Sequence, residues 1–152
     1  MNDEKLMRVA LKQAQKALAK DEVPVGCIIV RENKIIARGY DKRESTNDPT
    51  AHAEIIAIRK ASKKLGTWRL QDCDLYVTLE PCPMCLGTAI LARIKRIIYG
   101  TENPKFGAIT SIINLLHSKW NHKMKVTSGI LNEQCSEILK RYFKNKRHNQ
   151  QE

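Results

Sequence analysis

No apolar run in this chain of 152 residues approaches the roughly 18 residues that a membrane span needs. The opening Met1-Asn2-Asp3-Glu4-Lys5 is charged and no apolar core follows it, so a secretory leader is not expected. Cysteines are few and odd in number: five, two of them in Cys82-x-x-Cys85. That argues against a secreted disulfide framework and for a metal site in a reducing, cytoplasmic compartment. Internal repeats, linkers and disorder-prone composition are absent up to the last few residues. Acidic side chains are also in short supply, 16 against 27 basic, which leaves a net charge of +11. Such a surplus fits either solvated helix faces or a phosphate-binding surface.

What is present is enough for one domain, with hydrophobic residues at 42%. The expected division is a single domain over 1–144 and a basic, flexible tail over 145–152. Apolar positions at Leu6, Val9, Ala10, Ala14, Ala17 and Leu18 repeat with a helical period. Val25–Val30 is almost continuously apolar, as a strand covered on both faces would be. Glu32-Asn33 then turns the chain into Lys34–Tyr40, a hairpin. A polar loop is expected over Asp41–Pro49, then a helix capped by Thr50 that begins near Ala51 and ends near Lys64. Leu75–Leu79 reads as a strand, Cys82–Ala92 as a helix, Arg96–Tyr99 as a strand, Ser111–Leu116 as a helix and Lys125–Ser128 as a last strand. Asn132 caps a final helix reaching Phe143 or beyond. The pattern is α/β, a mixed sheet of about five strands with helices on both faces.

Two short stretches carry chemistry. His52-Ala53-Glu54 and Pro81-Cys82-Pro83-Met84-Cys85 supply one imidazole, two thiols and one carboxylate not needed as a ligand. Three protein ligands with the fourth position open describe a catalytic zinc site, whereas structural zinc is closed by four. Cys82 and Cys85, three apart on a helix's first turn, share a face. The helix N-terminus favours their thiolate forms. His52 completes the set. Glu54 is two residues from His52, so on a regular helix their side chains diverge by about 200°. It stands outside the ligand set and is the candidate proton shuttle. The H-x-E…P-C-x-x-C pattern itself is that of zinc-dependent nucleobase deaminases. Cys27 and Cys135 read as core, Cys73 is open, and His117 and His122 fall in a polar loop.

The chain resembles the bacterial tRNA-specific adenosine deaminases of the cytidine-deaminase-like superfamily. The resemblance is carried by Glu22–Gly26, Asp48–Glu54, Leu75–Cys82, Ala92-Arg93-Ile94, Tyr99-Gly100, Lys105-Phe106-Gly107 and Asn121-His122. It implies a three-layer α/β/α sandwich, one Zn2+ per subunit, a homodimer, and conversion of the wobble adenosine in a tRNA anticodon stem-loop to inosine. It also implies that Val25 packs on the flipped base, and that backbone at Ala53 and Pro81 meets its polar edge. Asn103 and Lys105 would touch sugar and phosphate. Tyr142 and Phe143 would stack on loop nucleotides or serve as core of their helix. At Asp41 the chain departs from the usual asparagine, and an ionised carboxylate can only accept hydrogen bonds. Asp41 would be protonated, act through water, or read another group. Two other readings stay open: a deaminase of a free base or nucleotide on the same scaffold, and a zinc-stabilised RNA-binding protein without turnover.

Overall fold

In the computed structural model, which describes residues 2–150, ten regular elements follow one another. They are helix α1 (Asp3–Ala19), strands β1 (Gly26–Arg31) and β2 (Lys34–Tyr40), helices α2 (Arg43–Thr46) and α3 (Ala53–Leu65), strand β3 (Cys73–Leu79), helix α4 (Pro83–Leu91), strands β4 (Arg96–Thr101) and β5 (Lys125–Thr127), and helix α5 (Asn132–Gln150). The sheet order is β2-β1-β3-β4-β5. Strand β1 is antiparallel to both β2 and β3, whereas β3, β4 and β5 run parallel.

Alternation along the strands explains the three layers. Cys27 and Ile29 of β1, Leu75 and Val77 of β3, and Ile97 and Tyr99 of β4 fill the larger core, with Ala57, Ala61 and Leu86 from α3 and α4. Their neighbours Ile28, Val30, Tyr76 and Ile98 face the other way, onto Leu6, Met7 and Ala10 of α1 and Cys135 of α5. The sheet is thus buried on both faces, which is why its central strands read as continuous apolar runs. Cys73, left open by sequence, is core as well.

A polar lock fixes the start of α1 to the sheet. Arg96 donates to both Asp3 carboxylate oxygens, at 2.8 and 3.2 Å, and Tyr76 Oη donates to Asp3 Oδ1 at 2.7 Å. The Arg96 hydrogen bond is the main reason the Asp3 carboxyl is held below its ordinary value. The folded chain therefore binds that proton less readily than the unfolded chain. The stabilisation is complete above about pH 4 and is lost as pH falls through the lowered value. Asp3→Asn is expected to cost about 2 kcal/mol at neutral pH and to flatten this part of the acid limb. Urea unfolding at several pH values measures both effects; an unchanged slope below pH ~4 would remove the lock from the account.

Several boundaries differ from the sequence expectation. Thr50 does not cap α3: its hydroxyl donates to Asp48 Oδ1 at 2.7 Å, and His52 is the N-cap residue. Inside the expected loop lies α2, because the buried Glu22 carboxylate accepts from the N–H groups of Glu44 and Ser45 at 2.8 and 2.9 Å. That caps a helix start from 22 residues away. Ser111–Leu116 is not an α-helix; only a 3-10 turn forms, at Leu115–His117. The expected tail boundary at 145 falls within α5, which is continuous to Gln150. Residues 151 and 152 of that tail lie outside the described residues. Among the described residues, no helix is long and apolar enough to cross a membrane.

Candidate metal centre and its surroundings

The sheet topology gathers the site. Strand β1 begins, and β2, β3 and β4 end, at one edge of the sheet, so Val25, Asp41, Glu80-Pro81 and Asn103 converge there. Helices α3 and α4 both begin there too, capped by His52 and Cys82 with extended backbone. Glycine at 39 permits the approach of α3 to β2, because a Cβ there would lie 2.5 Å from the Ala53 carbonyl oxygen.

His52, Cys82 and Cys85 come together as the sequence predicts. Their ligand atoms all lie within 4.8 Å of one another. His52 Nδ1 is 3.7 Å from Cys82 Sγ and 3.4 Å from Cys85 Sγ. In a tetrahedral zinc site with ordinary bond lengths, nitrogen and sulfur ligands are about 3.6 Å apart. The donor set therefore fits a zinc-sized ion without rearrangement, through Nδ1 of the imidazole. Only these three residues form such a group among the described residues, and Glu54 is not one of them.

The electrostatics suit a cation. The hydrogen bond from Cys85, with help from His52, pulls the Cys82 thiol down to about 4, so one thiolate is ready at neutral pH. Cys85 keeps its proton because it shares it with Cys82 and because the site is buried. A metal ion must displace that proton, so uptake releases acid. The bond to Cys82 also holds the His52 imidazole above its ordinary value.

Glu54 is 4% exposed in the first turn of α3. Burial pushes its carboxyl up to about 7, and it shares a hydrogen bond with Cys85. A carboxyl poised near neutrality beside the donor set can both take and return a proton.

Around this centre, Val25, Ala53 and Pro81 are buried. The Pro81 carbonyl accepts from Ala108 N at 3.0 Å. Asp41 is 2% exposed and ionically paired: its Oδ2 is 2.9 Å from Arg43 Nε. Its Oδ1 accepts from Arg43 N and Nε at 3.0 and 3.1 Å. Asp41 is thus held by Arg43. Tyr142 and Phe143 divide: Tyr142 is buried at 7% exposure, whereas Phe143 is 40% exposed. Lys105 Nζ lies 5.5 Å from the Phe143 ring centroid. Asn103 Oδ1 is occupied by Lys105 N and Phe106 N at 3.2 and 3.1 Å, which leaves its amide NH2 as the group to offer outward.

Sequence reasoning passed over Glu80. This carboxylate is 1% exposed and accepts from the N–H groups of Asn103, Ile109, Thr110 and Ser111 and from the Ser111 hydroxyl. Burial pushes its carboxyl up, but those donors outweigh it and hold the carboxyl below the ordinary range. Glycine at 107 lets the loop close, since a Cβ there would sit 2.5 Å from the carboxylate. Glu80 therefore ties the 103–111 loop to the turn that bears Cys82. Glu80→Gln puts an amide N–H against backbone donors. The 103–111 loop is then expected to loosen, with amide exchange at Ile109, Thr110 and Ser111 rising about tenfold and metal content kept. Hydrogen exchange with metal analysis checks this; unchanged exchange at these three residues would contradict it.

Comparison with known proteins finds deaminases. The family profile of the MafB19-like deaminases matches residues 1–147. A protein of Bacillus subtilis (strain 168) described as a tRNA-specific adenosine deaminase is 45% identical over 143 residues, covering 93% of this chain and 89% of that protein. A solved structure from a study of A-to-I editing by tRNA:A34 deaminases superposes with a TM-score of 0.85 at 43% identity, covering 88% of this chain and 97% of that one. A guanine deaminase from Bacillus subtilis superposes with a TM-score of 0.67 at 37% identity, covering 80% of this chain and 88% of that one.

Proposed function

The chain belongs to the family of bacterial tRNA-specific adenosine deaminases, and from that premise we infer that its His52–Cys82–Cys85 centre holds one Zn2+ and serves the hydrolytic conversion of the wobble adenosine of a tRNA anticodon loop to inosine. The observation that carries this reading is the nitrogen-and-two-sulfur donor set with a buried carboxylate beside it but outside it. Bound there, zinc supplies Lewis-acid activation, lowering the pKa of water to about 7.

The chain's own groups do the rest. Glu54 takes a proton from the attacking water and delivers it to N1 of the adenine ring as the water oxygen adds to C6. The same carboxylate then carries the second proton to the amine on C6. The carbon–nitrogen bond breaks, ammonia leaves, and Glu54 ends as it began. Val25, Ala53 and Pro81 wall the base and exclude bulk water. A base can reach this position only by leaving its stack, which costs least in a single-stranded loop. Asn103 and Lys105 hold sugar and phosphate of the loop, and the exposed ring of Phe143 offers a face for a neighbouring base. Tyr142 supports that ring from beneath, their centroids 5.2 Å apart in a T-shaped pair. Asp41 acts through Arg43, whose guanidinium it holds at the pocket's edge.

The working unit is a single domain over 1–144 whose basic extension continues α5, acting in the cytoplasm as a homodimer. Support for the dimer comes from α4, which turns Met84 and Leu91, seven residues apart and so on one face, outward. Ammonia release, measured in parallel on an anticodon stem-loop and on free adenosine, guanine and cytosine, tests the reading. Release from the stem-loop alone is expected. Turnover of guanine without turnover of the stem-loop would assign the pocket to a free base.

A further inference from the structure

Building on the RNA-substrate reading, we propose that Lys20, Tyr40 and Lys42, continued by Lys146, form a second contact surface that grips the phosphate backbone of the stem next to the anticodon loop, outside the base pocket. Tyr40 ends β2 opposite Gly26. The next residue donates its N–H to the Val25 carbonyl, and Lys42 N donates to the Ala51 carbonyl, one residue before His52. The surface thus begins at the pocket's edge.

Three lysines from two elements bear on one phenol. Lys20 Nζ donates to Tyr40 Oη at 2.8 Å and lies 5.3 Å from the ring centroid. Lys42 Nζ lies 4.9 Å from the same centroid. The Lys20 hydrogen bond chiefly lowers the pKa of Tyr40, against its partial burial, and the charges of Lys42, Lys20 and Lys16 add to it. Like charges gathered this closely repel, and an anion between them relieves that repulsion.

The chemistry selects phosphate over base. Tyr40 is half-buried and holds Lys20 at its oxygen, so it presents a hydroxyl edge rather than an open face, whereas the Phe143 ring is exposed. Its oxygen accepts from Lys20, so the phenol hydrogen is available to a phosphate oxygen. Lysine is a point charge without a fork, suited to backbone contacts that carry no sequence information. The surface then passes to α5: Asp21, next to Lys20, holds Lys146 Nζ at 2.8 Å, and that ammonium lies 5.6 Å from the Tyr142 ring centroid. Phosphates of a stem entering beside the loop meet Lys42, then Lys20, then Lys146.

The test compares binding of a full anticodon stem-loop with binding of the single-stranded loop heptamer over a series of salt concentrations. The proteins are the wild type, the double variant K20Q/K42Q and the control K123Q/K125Q. The control removes the same charge at the opposite edge of the sheet, by β5. For the stem-loop, K20Q/K42Q is expected to lower the slope of log affinity against log salt by about 1 per lysine, with the heptamer slope unchanged and the control like wild type. An unchanged stem-loop slope overturns the proposal, and so does an equal fall for both ligands or an equal fall in the control. If the wild type forms no inosine in the stem-loop, the substrate reading fails instead, a result the slopes do not decide.

Discussion

Glu54→Gln is expected to lower inosine formation by about 10²–10⁴-fold while metal content and stem-loop affinity stay at wild-type values. Glutamine keeps the shape of the buried side chain but can neither take a proton from water nor return one to a leaving amine. Metal is retained because the donor group consists of His52, Cys82 and Cys85 alone. RNA affinity is retained because a side chain that is 4% exposed in the first turn of α3 offers little surface to the loop nucleotides. Single-turnover rates, metal analysis and a binding isotherm on one preparation separate the three quantities. Activity at the wild-type level would remove the shuttle role. Parallel loss of the metal would make Glu54 a ligand.

Cys82→Ser is expected to abolish metal retention and to cost more than the 10–100-fold typical of residues that only support ligands. Cys82 contributes the thiolate already present at neutral pH, since its thiol is held down to about 4. A serine hydroxyl offers no comparable anion. A metal ion that binds only the folded chain also stabilises it. A chelator should therefore lower the melting temperature of the wild type and leave that of Cys82→Ser unchanged. The same variant should release fewer protons than the wild type when the metal-free chain takes up zinc. A full metal complement in Cys82→Ser, or an unchanged melting temperature of the chelated wild type, would take Cys82 out of the ligand set.

The clustering of His52, Cys82 and Cys85 could be read from sequence because these residues are local. His52 and Glu54 share one helix start, Cys82 and Cys85 share another, and in each case neighbouring residues set the direction of the side chains. The sheet was legible for a similar reason, since burial on both faces leaves continuous apolar runs such as Cys27–Val30. What was hidden depends on groups that act over many residues. A helix was expected at Ser111–Leu116, but Glu80 captures the N–H groups of residues 109–111. The N–H groups of Ile112 and Ile113 then turn back to the Gly107 carbonyl. In the same way α2 owes its start to Glu22, and Asp41 takes Arg43 as its partner. Each is a buried carboxylate taking up backbone or guanidinium donors, and neither hydrophobic period nor propensity registers such a partner. At Tyr142 and Phe143 the sequence could place two aromatic rings on α5 but not their depth, which is set by the packing of α5 on the sheet.

Nucleoside mass spectrometry of an anticodon stem-loop incubated with the zinc-loaded protein in 18O-labelled water tests the central claim most directly. Inosine carrying the heavy oxygen at the wobble position, with the other adenosines of the hairpin intact, is the expected result. An unaltered wobble adenosine, or inosine without the label, would contradict hydrolysis at this site.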